Sequence, residues 1–350
     1  MCHRLHCMNS DIIYMNWRYR YQVSEVIVPE VSILIPAYNV DQYIERCLDS
    51  ILNQKFKDFE VVVVNDCSTD STLQIIQRYA KDDPRIKVIT NKNNRGVSET
   101  RNILIRNASG EFVAFIDPDD FVDTNYLNHL TSVQKHEHVD VVACSRVIYY
   151  DAEDQYKDVR ESFANRVLDS RDAIRALNCY TSFDMSMWAK LIRRDLFRTI
   201  VFPKDKLAED QFICYKILDN ANSVYYTTNY LYYYRHRKGS LSRSKRKINK
   251  FPLQAAETQR DYLRKHYKDL NLQGDTACFF SAVGLYNDYM YIGTGVIPQD
   301  DAERIRDNTK SYFKSVIKNP DISIKKKMQA CIFISNKKIY DLMMEKLFKF

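Results

Sequence analysis

Three clusters of polar residues each follow directly after a short apolar run, and they contain residue types that bind ligands and transfer protons. The clusters are Pro36-Ala-Tyr-Asn39, Asn65-Asp66 with Ser68 to Asp70, and Asp117-Pro-Asp-Asp120. Asn, Asp and Pro also end strands as ordinary turn residues, which would explain any one cluster on its own. Three clusters in succession, each at the end of a strand, favour a common ligand-binding cleft.

The cluster Asp117-Pro-Asp-Asp120 places three carboxylates within four residues. Their mutual repulsion is costly unless a cation neutralises it. Oxygen ligands suit Mg²⁺ or Mn²⁺, which keep several waters and bridge substrate phosphates. The cluster therefore predicts a divalent-metal site that faces a diphosphate. The alternative is that Asp119 or Asp120 caps a helix beginning near Thr124.

The elements that must position these clusters alternate along the first half of the chain. Short apolar runs predict strands over 31–35, 59–64, 86–89, 112–116 and 139–146. Amphipathic stretches predict helices over 44–54, 71–80 and 97–108. Alternating strands and helices predict an α/β fold with a parallel sheet. Right-handed crossovers bring the carboxyl ends of its strands, where ligands bind, to one edge.

The second half of the chain becomes helical and basic. Apolar residues three and four apart predict helices over 254–267, 277–291, 302–318 and 325–350, after a boundary near 242. The formal net charge is +7, with basic runs at 243–247 and 325–327 among aromatic and aliphatic residues. That mixture favours a membrane surface over nucleic acid, which we do not expect as a partner. Segment 325–350 is interpreted either as a packed helix or as one lying on anionic lipid.

The N-terminal segment and the cysteines exclude several classes. Nine scattered cysteines indicate free thiols in a reducing cytoplasm. Residues 1–30 lack the apolar core of a secretory signal, and no run of about 18 apolar residues could span a membrane. Cys2-His-Arg-Leu-His-Cys7 packs four ligand residues, two Cys and two His, too closely for one tetrahedral zinc. We interpret residues 1–30 as an N-terminal extension, either disordered or belonging to an upstream start.

Four motifs together resemble the signatures of glycosyltransferase family 2. They are Val31-Ser-Ile-Leu-Ile-Pro-Ala-Tyr-Asn39, Val64-Asn-Asp-Cys-Ser-Thr-Asp70, Asn94-Arg-Gly-Val-Ser-Glu-Thr-Arg-Asn102 and Phe115-Ile-Asp-Pro-Asp-Asp120. The resemblance is strong over 31–130, moderate to about 245 and faint beyond. It implies a GT-A fold, Rossmann-like and mostly parallel, over 31–241, with a nucleotide-sugar half to 147 and an acceptor half from 148. Residues 242–350 would be a helical C-terminal region.

The resemblance also implies roles for residues of the nucleotide half. Pro36 and Tyr38 would line the base pocket, and Asp66 would accept a hydrogen bond from a uracil ring. Arg101, with Asn94 nearby, would meet the base or the diphosphate.

On the same grounds, Asp117 would contact the ribose and Asp119 would hold Mg²⁺ or Mn²⁺. The chain departs from the family by having Cys67 where Gly is usual and Thr100 where Ala is frequent.

A transferase also needs a base that takes the proton of the acceptor hydroxyl. Segments 188–194, 202–203 and 208–212 resemble the second half of the family pattern, in which Asp210 would be the base. Glu209 would orient the acceptor or Asp210. The alternative is an acidic helix start before Phe212.

A basic aromatic segment, Tyr232-Tyr-Tyr-Arg-His-Arg237, is followed by Gly239-Ser240. It resembles the flexible element that closes over the diphosphate in this family. Arg235, His236, Arg237 and Ser240 would then bind phosphate oxygens. A solvated basic loop is the alternative.

These observations predict a metal-dependent, inverting hexosyl- or N-acetylhexosaminyltransferase. It would use a UDP-sugar and a glycan or polyprenyl-linked acceptor, in capsule, exopolysaccharide, lipopolysaccharide or teichoic-acid assembly at the inner face of the membrane. A sugar nucleotidyltransferase is one alternative, but it would need a Gly-rich phosphate loop after the first strand. A catalytically inactive nucleotide-sugar-binding scaffold is another. Whether the chain forms a homodimer stays open.

Overall fold

The computed structural model describes residues 28–158, 165–178, 185–237, 249–292 and 299–348. Within them, ten strands form one sheet. They are β1 (Val31–Ala37), β2 (Phe59–Asn65), β3 (Ile86–Thr90), β4 (Phe112–Phe115), β5 (Phe121–Val122), β6 (Val141–Tyr150), β7 (Gln155–Asp158), β8 (Arg166–Asp169), β9 (Lys190–Arg193) and β10 (Ser223–His236).

The strand order is β3-β2-β1-β4-β9-β6-β10-β5, with β7 paired to β6 and β8 to β10. The first four strands in this order are parallel to one another, as are β6 and β10. Strands β9 and β5 pair antiparallel with their neighbours. The predicted mostly parallel α/β sheet is confirmed.

Eleven α-helices lie in the described part of the chain. They are α1 (Ile44–Leu52), α2 (Thr72–Asp82), α3 (Gly96–Asn107), α4 (Tyr126–Glu137), α5 (Ser170–Leu177), α6 (Cys214–Asn220), α7 (Phe251–His266), α8 (Asn271–Asn287), α9 (Gln299–Lys318), α10 (Ile324–Ser335) and α11 (Lys337–Phe348). No helix of the described residues has the length and apolarity needed to cross a bilayer.

Strands β1 and β2 are buried along their whole length because helices cover both faces of the sheet. Leu34 packs into the core on one face, whereas Ile33 and Ile35 pack into the core on the other. Burying both faces explains why these strands are mostly apolar and do not alternate, although each also buries a polar residue, Ser32 in β1 and Glu60 in β2. Among the described residues, Cys47, Cys67, Cys278 and Cys331 carry free thiols.

The helical C-terminal region has a core of its own and a second contact with the sheet domain. Phe279, Tyr286 and Phe333 belong to the separate core, whereas Leu263 and Leu270 join the core under the sheet. The expected helical region is confirmed, and the predicted boundary near 242 falls outside the described residues.

Two predictions about secondary structure were wrong. The predicted single helix over 325–350 is interrupted at Asn336, whose Oδ1 accepts the Ile339 N–H at 3.1 Å and thereby starts α11 as a new helix. The residues predicted as a flexible basic element, Tyr232 to His236, instead lie in β10 and pair with β6. A segment rich in tyrosine is typical of a strand, and that composition signal was missed.

Candidate active site

The three polar clusters lie at one edge of the sheet, as the parallel topology predicted. The Asp66 N–H donates to the Ala37 carbonyl at 2.8 Å, and the Asn39 N–H donates to Ser68 Oγ at 3.1 Å. The Cys47 thiol of α1 lies 3.7 Å from the Asp117 carbonyl. The ends of β1, β2 and β4 therefore meet around a shared cleft.

Asp66 lies at the N-terminus of α3, and its carboxylate accepts three hydrogen bonds from the chain. The donors are Asn91 Nδ2 at 2.7 Å and the backbone N–H groups of Arg95 and Gly96, both at 2.8 Å. A carboxylate at this position is favoured by the helix dipole. Because a carboxylate has about four acceptor positions, Asp66 can still accept one hydrogen bond from a ligand.

The other residues assigned to the base pocket differ in exposure. Pro36 is buried within β1, whereas the ring of Tyr38 is 47% exposed at its end. Asn94 is exposed, and its Oδ1 accepts the Gly96 N–H at 3.1 Å. Cys67 has a φ of 60°, in the left-handed region where glycine costs least, which accounts for the family's usual glycine there.

Arg101 joins carboxylates from both halves of the site. Its Nη1 donates to Glu209 and Asp210, and its Nη2 donates to Asp117 Oδ1 at 3.1 Å. The Arg101 side chain is only 5% exposed. Burial lowers the pKa of this guanidinium, but the charges of Asp210, Glu209 and Asp117 outweigh burial and raise it. The resemblance implied a contact with the base or diphosphate, whereas the structure places these three acids around it.

Glu209 and Asp210 lie on a 3₁₀ turn, Glu209–Phe212, that precedes α6. The alternative of an acidic helix start agrees with this turn, because both acids lie in the first turn of the 3₁₀ helix, whereas α6 begins at Cys214 and has no acid in its first turn. Asp210 Oδ2 accepts the Met187 N–H at 3.1 Å. Burial raises the pKa of Asp210 to about 6, with Arg101 opposing and Glu209 adding to the increase. A carboxylate with this pKa suits a general base near neutrality.

The three aspartates of the cluster point to different partners. Burial raises the pKa of Asp117 to about 6, although Arg101 opposes this. Asp119 Oδ2 accepts Arg237 Nε at 2.7 Å. Asp120 is buried and accepts Tyr232 O–H and the Arg235 N–H, at 2.7 and 2.8 Å.

Asp117 and Asp119 therefore each lie beside an arginine side chain, at the place where the sequence predicted a metal cation. The alternative that Asp119 or Asp120 caps the following helix is also wrong. The carboxylate near the start of α4 belongs to Asp123, whose Oδ1 accepts the Asn125 N–H at 2.8 Å. No set of three or more His, Cys, Asp or Glu side chains in the described ranges is arranged to hold a metal ion.

One carboxylate nevertheless fits the way that hard divalent cations bind nucleotides. The Asp119 side chain is 19% exposed, and among the described residues no hydrogen bond reaches its Oδ1. Mg²⁺ is held by one or two carboxylates while substrate phosphates and waters complete its shell. The donor set at Asp119 therefore fits a metal that enters with a diphosphate.

The residues assigned to phosphate binding fall into three environments. Arg235 is buried, pairs with Asp151 and donates from Nε to the Asp119 carbonyl at 2.7 Å. The His236 ring packs edge-on against Tyr150 and Tyr234. Arg237 reaches Asp119. Ser240 lies outside the described residues.

Sequence reasoning missed two groups that organise the site. Tyr232 donates to Asp120, and its hydroxyl oxygen accepts the Asp117 N–H at 3.1 Å. Its position in a tyrosine-rich segment was a usable signal for a strand. The Met187 N–H on Asp210 carries no sequence signal, because every residue other than proline has such a donor.

Comparison with known proteins places these features in context. Residues 32–201 match the family model described as "Glycosyl transferase family 2". The chain is 34% identical to EpsH of Bacillus subtilis (strain 168), whose name places it among the glycosyltransferases, over 69% of this chain and 71% of that protein. It is 33% identical to glycosyltransferase GlyA of Streptococcus pneumoniae serotype 4 over 61% of this chain, and it spans only 32% of GlyA.

Among solved structures, the chain is similar to TarS residues 1–349 from S. aureus, determined in complex with UDP-GlcNAc. The TM-score is 0.62 and the identity 24%, over 82% of this chain and 81% of that chain. At this identity the likeness establishes the fold, and it confirms the expected GT-A architecture.

Proposed function

The chain belongs to glycosyltransferase family 2, and from that membership we propose that it transfers a sugar from a UDP-sugar, with inversion, to an acceptor hydroxyl. The sugar would be a hexosyl or N-acetylhexosaminyl group, and the acceptor a glycan or a lipid-linked saccharide. One observation carries this proposal. Asp210, a carboxylate with a pKa near 6, is held beside the donor-side Asp117 through the guanidinium of Arg101.

The proposed chemistry is a single displacement at the anomeric carbon. The acceptor oxygen attacks this carbon as the bond to the diphosphate breaks, and Asp210 takes the proton of the acceptor hydroxyl. UDP leaves from the opposite face, so the anomeric configuration inverts. Two hydrogen-bond donors, Arg101 and the Met187 N–H, orient the Asp210 carboxylate.

The donor side offers features that suit uridine diphosphate. Tyr38 presents an exposed ring for stacking on a base, and Asp66 retains one acceptor position for a ring N–H. The complex of TarS with UDP-GlcNAc supports the same choice of nucleotide.

For the diphosphate we propose Mg²⁺ or Mn²⁺ held by Asp119, with Arg237 beside it. When bound, the metal would neutralise the charge that develops on the leaving diphosphate. The role of Arg237 would be to orient Asp119 and to contact phosphate oxygens as a guanidinium donor.

A lipid-linked acceptor fits the surface of the last two helices. Five large apolar side chains are exposed there: Ile324 and Met328 on α10, and Ile339, Leu342 and Met343 on α11. Exposed lysines, including Lys325 and Lys338, lie among them. Apolar side chains flanked by lysines complement an anionic lipid surface. We therefore propose that the enzyme works in cell-surface polysaccharide assembly at the inner face of the membrane.

The test is UDP release by the purified chain with UDP-, GDP- and CMP-sugars, added Mn²⁺ or chelator, and lipid-linked saccharide acceptors. We expect turnover with one UDP-sugar and its loss, by at least about 1000-fold, in Asp210→Asn with UDP binding retained. Asp205→Asn is the matched control, because Asp205 is exposed and asparagine tolerates its φ of 56°.

Each other outcome points elsewhere. Unchanged transfer by Asp210→Asn would remove the assigned base. UDP binding without turnover of any donor would indicate the inactive scaffold. Diphosphate release from a nucleoside triphosphate and a sugar phosphate would indicate a nucleotidyltransferase.

A further inference from the structure

Arg101 lies on α3, and its side chain reaches acids that come from two separate parts of the chain. Asp117 follows β4, whereas Glu209 and Asp210 belong to the 3₁₀ turn about ninety residues later. The guanidinium carbon also lies 5.9 Å and 5.7 Å from the ring centroids of Phe115 and Phe202. Aromatic rings and three carboxylates thus hold this side chain in one place.

Both terminal nitrogens of Arg101 are directed to carboxylates of the protein itself. Three of the five N–H groups of this guanidinium donate to these acids, and its Nε is buried. Turning the guanidinium toward a diphosphate would leave the three acids facing one another at low exposure, between 8% and 25%. Like charges at that burial repel strongly. The geometry therefore disfavours Arg101 as a ligand of the donor.

We propose, resting on the function proposed above, that Arg101 is a positioning residue that orients the base Asp210 and links it to the donor-side Asp117. Its guanidinium joins the nucleotide half and the acceptor half of the cleft into one reaction site. It takes no part in nucleotide binding.

The charges around Asp210 give this role a measurable signature. The charged groups that face Asp210 among the described residues are Arg101, Glu209, Lys190 and Asp117. Arg101 lowers the pKa of Asp210, and Glu209 raises it. Removing the guanidinium must therefore raise this pKa, whereas neutralising Glu209 must lower it.

The experiment compares the pH dependence of kcat and the affinity for UDP, by calorimetry, in wild-type protein, Arg101→Gln and Glu209→Gln. Because Asp210 must be ionised to act as the base, activity decreases when the pH falls below the pKa of Asp210. In Arg101→Gln we expect the acid limb to move to higher pH by about one to two units, with kcat at pH 7 reduced about 100-fold. In Glu209→Gln the limb should move to lower pH. The Kd for UDP should stay within about threefold of wild type in both.

Matched variants separate positioning from general damage to the fold. Arg106→Gln removes an exposed arginine from the same helix and should leave the pH profile and UDP binding unchanged. Arg101→Lys should retain part of the activity, and guanidinium ion at non-denaturing concentration should partly restore Arg101→Ala. If Arg101→Gln does not fold, two measurements still test the proposal: the shift of the acid limb to lower pH in Glu209→Gln, and the recovery of activity in Arg101→Ala on adding guanidinium ion.

Arg101→Gln with UDP binding weakened more than about tenfold and an unmoved acid limb would overturn the proposal and make Arg101 a donor contact. If wild-type protein transfers no sugar with any donor, the proposed function fails. In that case the UDP-binding measurement alone decides the role of Arg101, because it needs no turnover.

Discussion

Asp119 and Arg237 lie 118 positions apart in the sequence, and the carboxylate of the first accepts a hydrogen bond from Nε of the second at 2.7 Å. The guanidinium carbon of Arg237 also lies 4.6 Å from the centroid of the Tyr43 ring. Arg237 is thereby anchored beside the carboxylate that fits a divalent metal. The two charges together would present one cationic and one metal-binding group to a diphosphate.

Metal removal and Asp119→Asn should have the same effect. We expect each to lower kcat/KM at least about 100-fold, because either change leaves the charge of the leaving diphosphate without its metal. UDP release with and without chelator measures this. Asp123→Asn, whose oxygen lies near the start of α4, is the control and should stay within about threefold of wild type. Full activity in chelator would contradict a metal at Asp119.

Arg237→Gln should weaken the donor more than it slows the chemistry. It removes one donor to the phosphate oxygens and leaves Asp119 without its guanidinium partner, so we expect KM for the UDP-sugar to rise about tenfold. Steady-state kinetics over donor and Mn²⁺ concentrations separate the two parameters. A change confined to kcat would assign Arg237 to the chemical step.

Glu60→Gln should destabilise the fold away from the site. Burial raises the pKa of the Glu60 carboxyl, but its hydrogen bonds with Lys87, Ser109 and Ser32 outweigh burial and lower this pKa to about 2. Ser32 Oγ and the Ser109 N–H donate to it at 2.6 and 2.7 Å, which ties β1 to the loop before β4.

Because the pKa of Glu60 is lower in the folded protein than in the unfolded chain, its ionised carboxylate stabilises the fold at pH values above the unfolded pKa. This stabilisation is lost as the pH falls toward 2. We expect Glu60→Gln to lower the free energy of unfolding by roughly 1–3 kcal/mol at pH 7. The difference from wild type should shrink by pH 3. Urea denaturation at both pH values checks this, with the exposed Glu45→Gln expected to cost under about 0.5 kcal/mol.

Asp219→Asn should loosen the helical region from the sheet domain. The hydroxyl groups of Tyr262 and Tyr267 both donate to the Asp219 carboxylate. We expect a loss of roughly 1–3 kcal/mol in the free energy of unfolding, and faster amide exchange in α7. Asp261→Asn, at an exposed carboxylate of α7, serves as the control. Equal effects of the two variants would remove Asp219 from this role.

The exposed apolar side chains of α10 and α11 should mediate binding to lipid. Met328→Ser combined with Leu342→Ser should lower the fraction of protein that sediments with anionic vesicles about tenfold, because two large apolar groups no longer leave water. Val201→Ser, a 65% exposed apolar residue of the sheet domain, is the control. Equal sedimentation of the double variant and wild type would leave these helices as packing elements.

Much of the nucleotide half was predictable because its signals are local. A parallel strand that is buried on both faces is mostly apolar, so β1 and β2 could be predicted from the apolar runs at 31–35 and 59–64. The polar clusters after them could be placed at one edge, because parallel strands end together. β10 was harder to predict, because the basic residues at its end outweighed its high content of tyrosine, a residue that favours strands.

By itself the sequence determined the α/β class, the edge of the sheet that carries the site, the family, and Asp210 as the candidate base. Only the tertiary structure decided which charge each acid meets. Arg101 pairs with Asp210 across 109 positions and Arg237 with Asp119 across 118. The physical reason is that the partners of a side chain depend on how distant segments of the chain pack together. A local sequence pattern carries no information about which distant segments meet. The cluster of three aspartates predicted a divalent cation, which stays a prediction, and the fold places arginines beside two of the three.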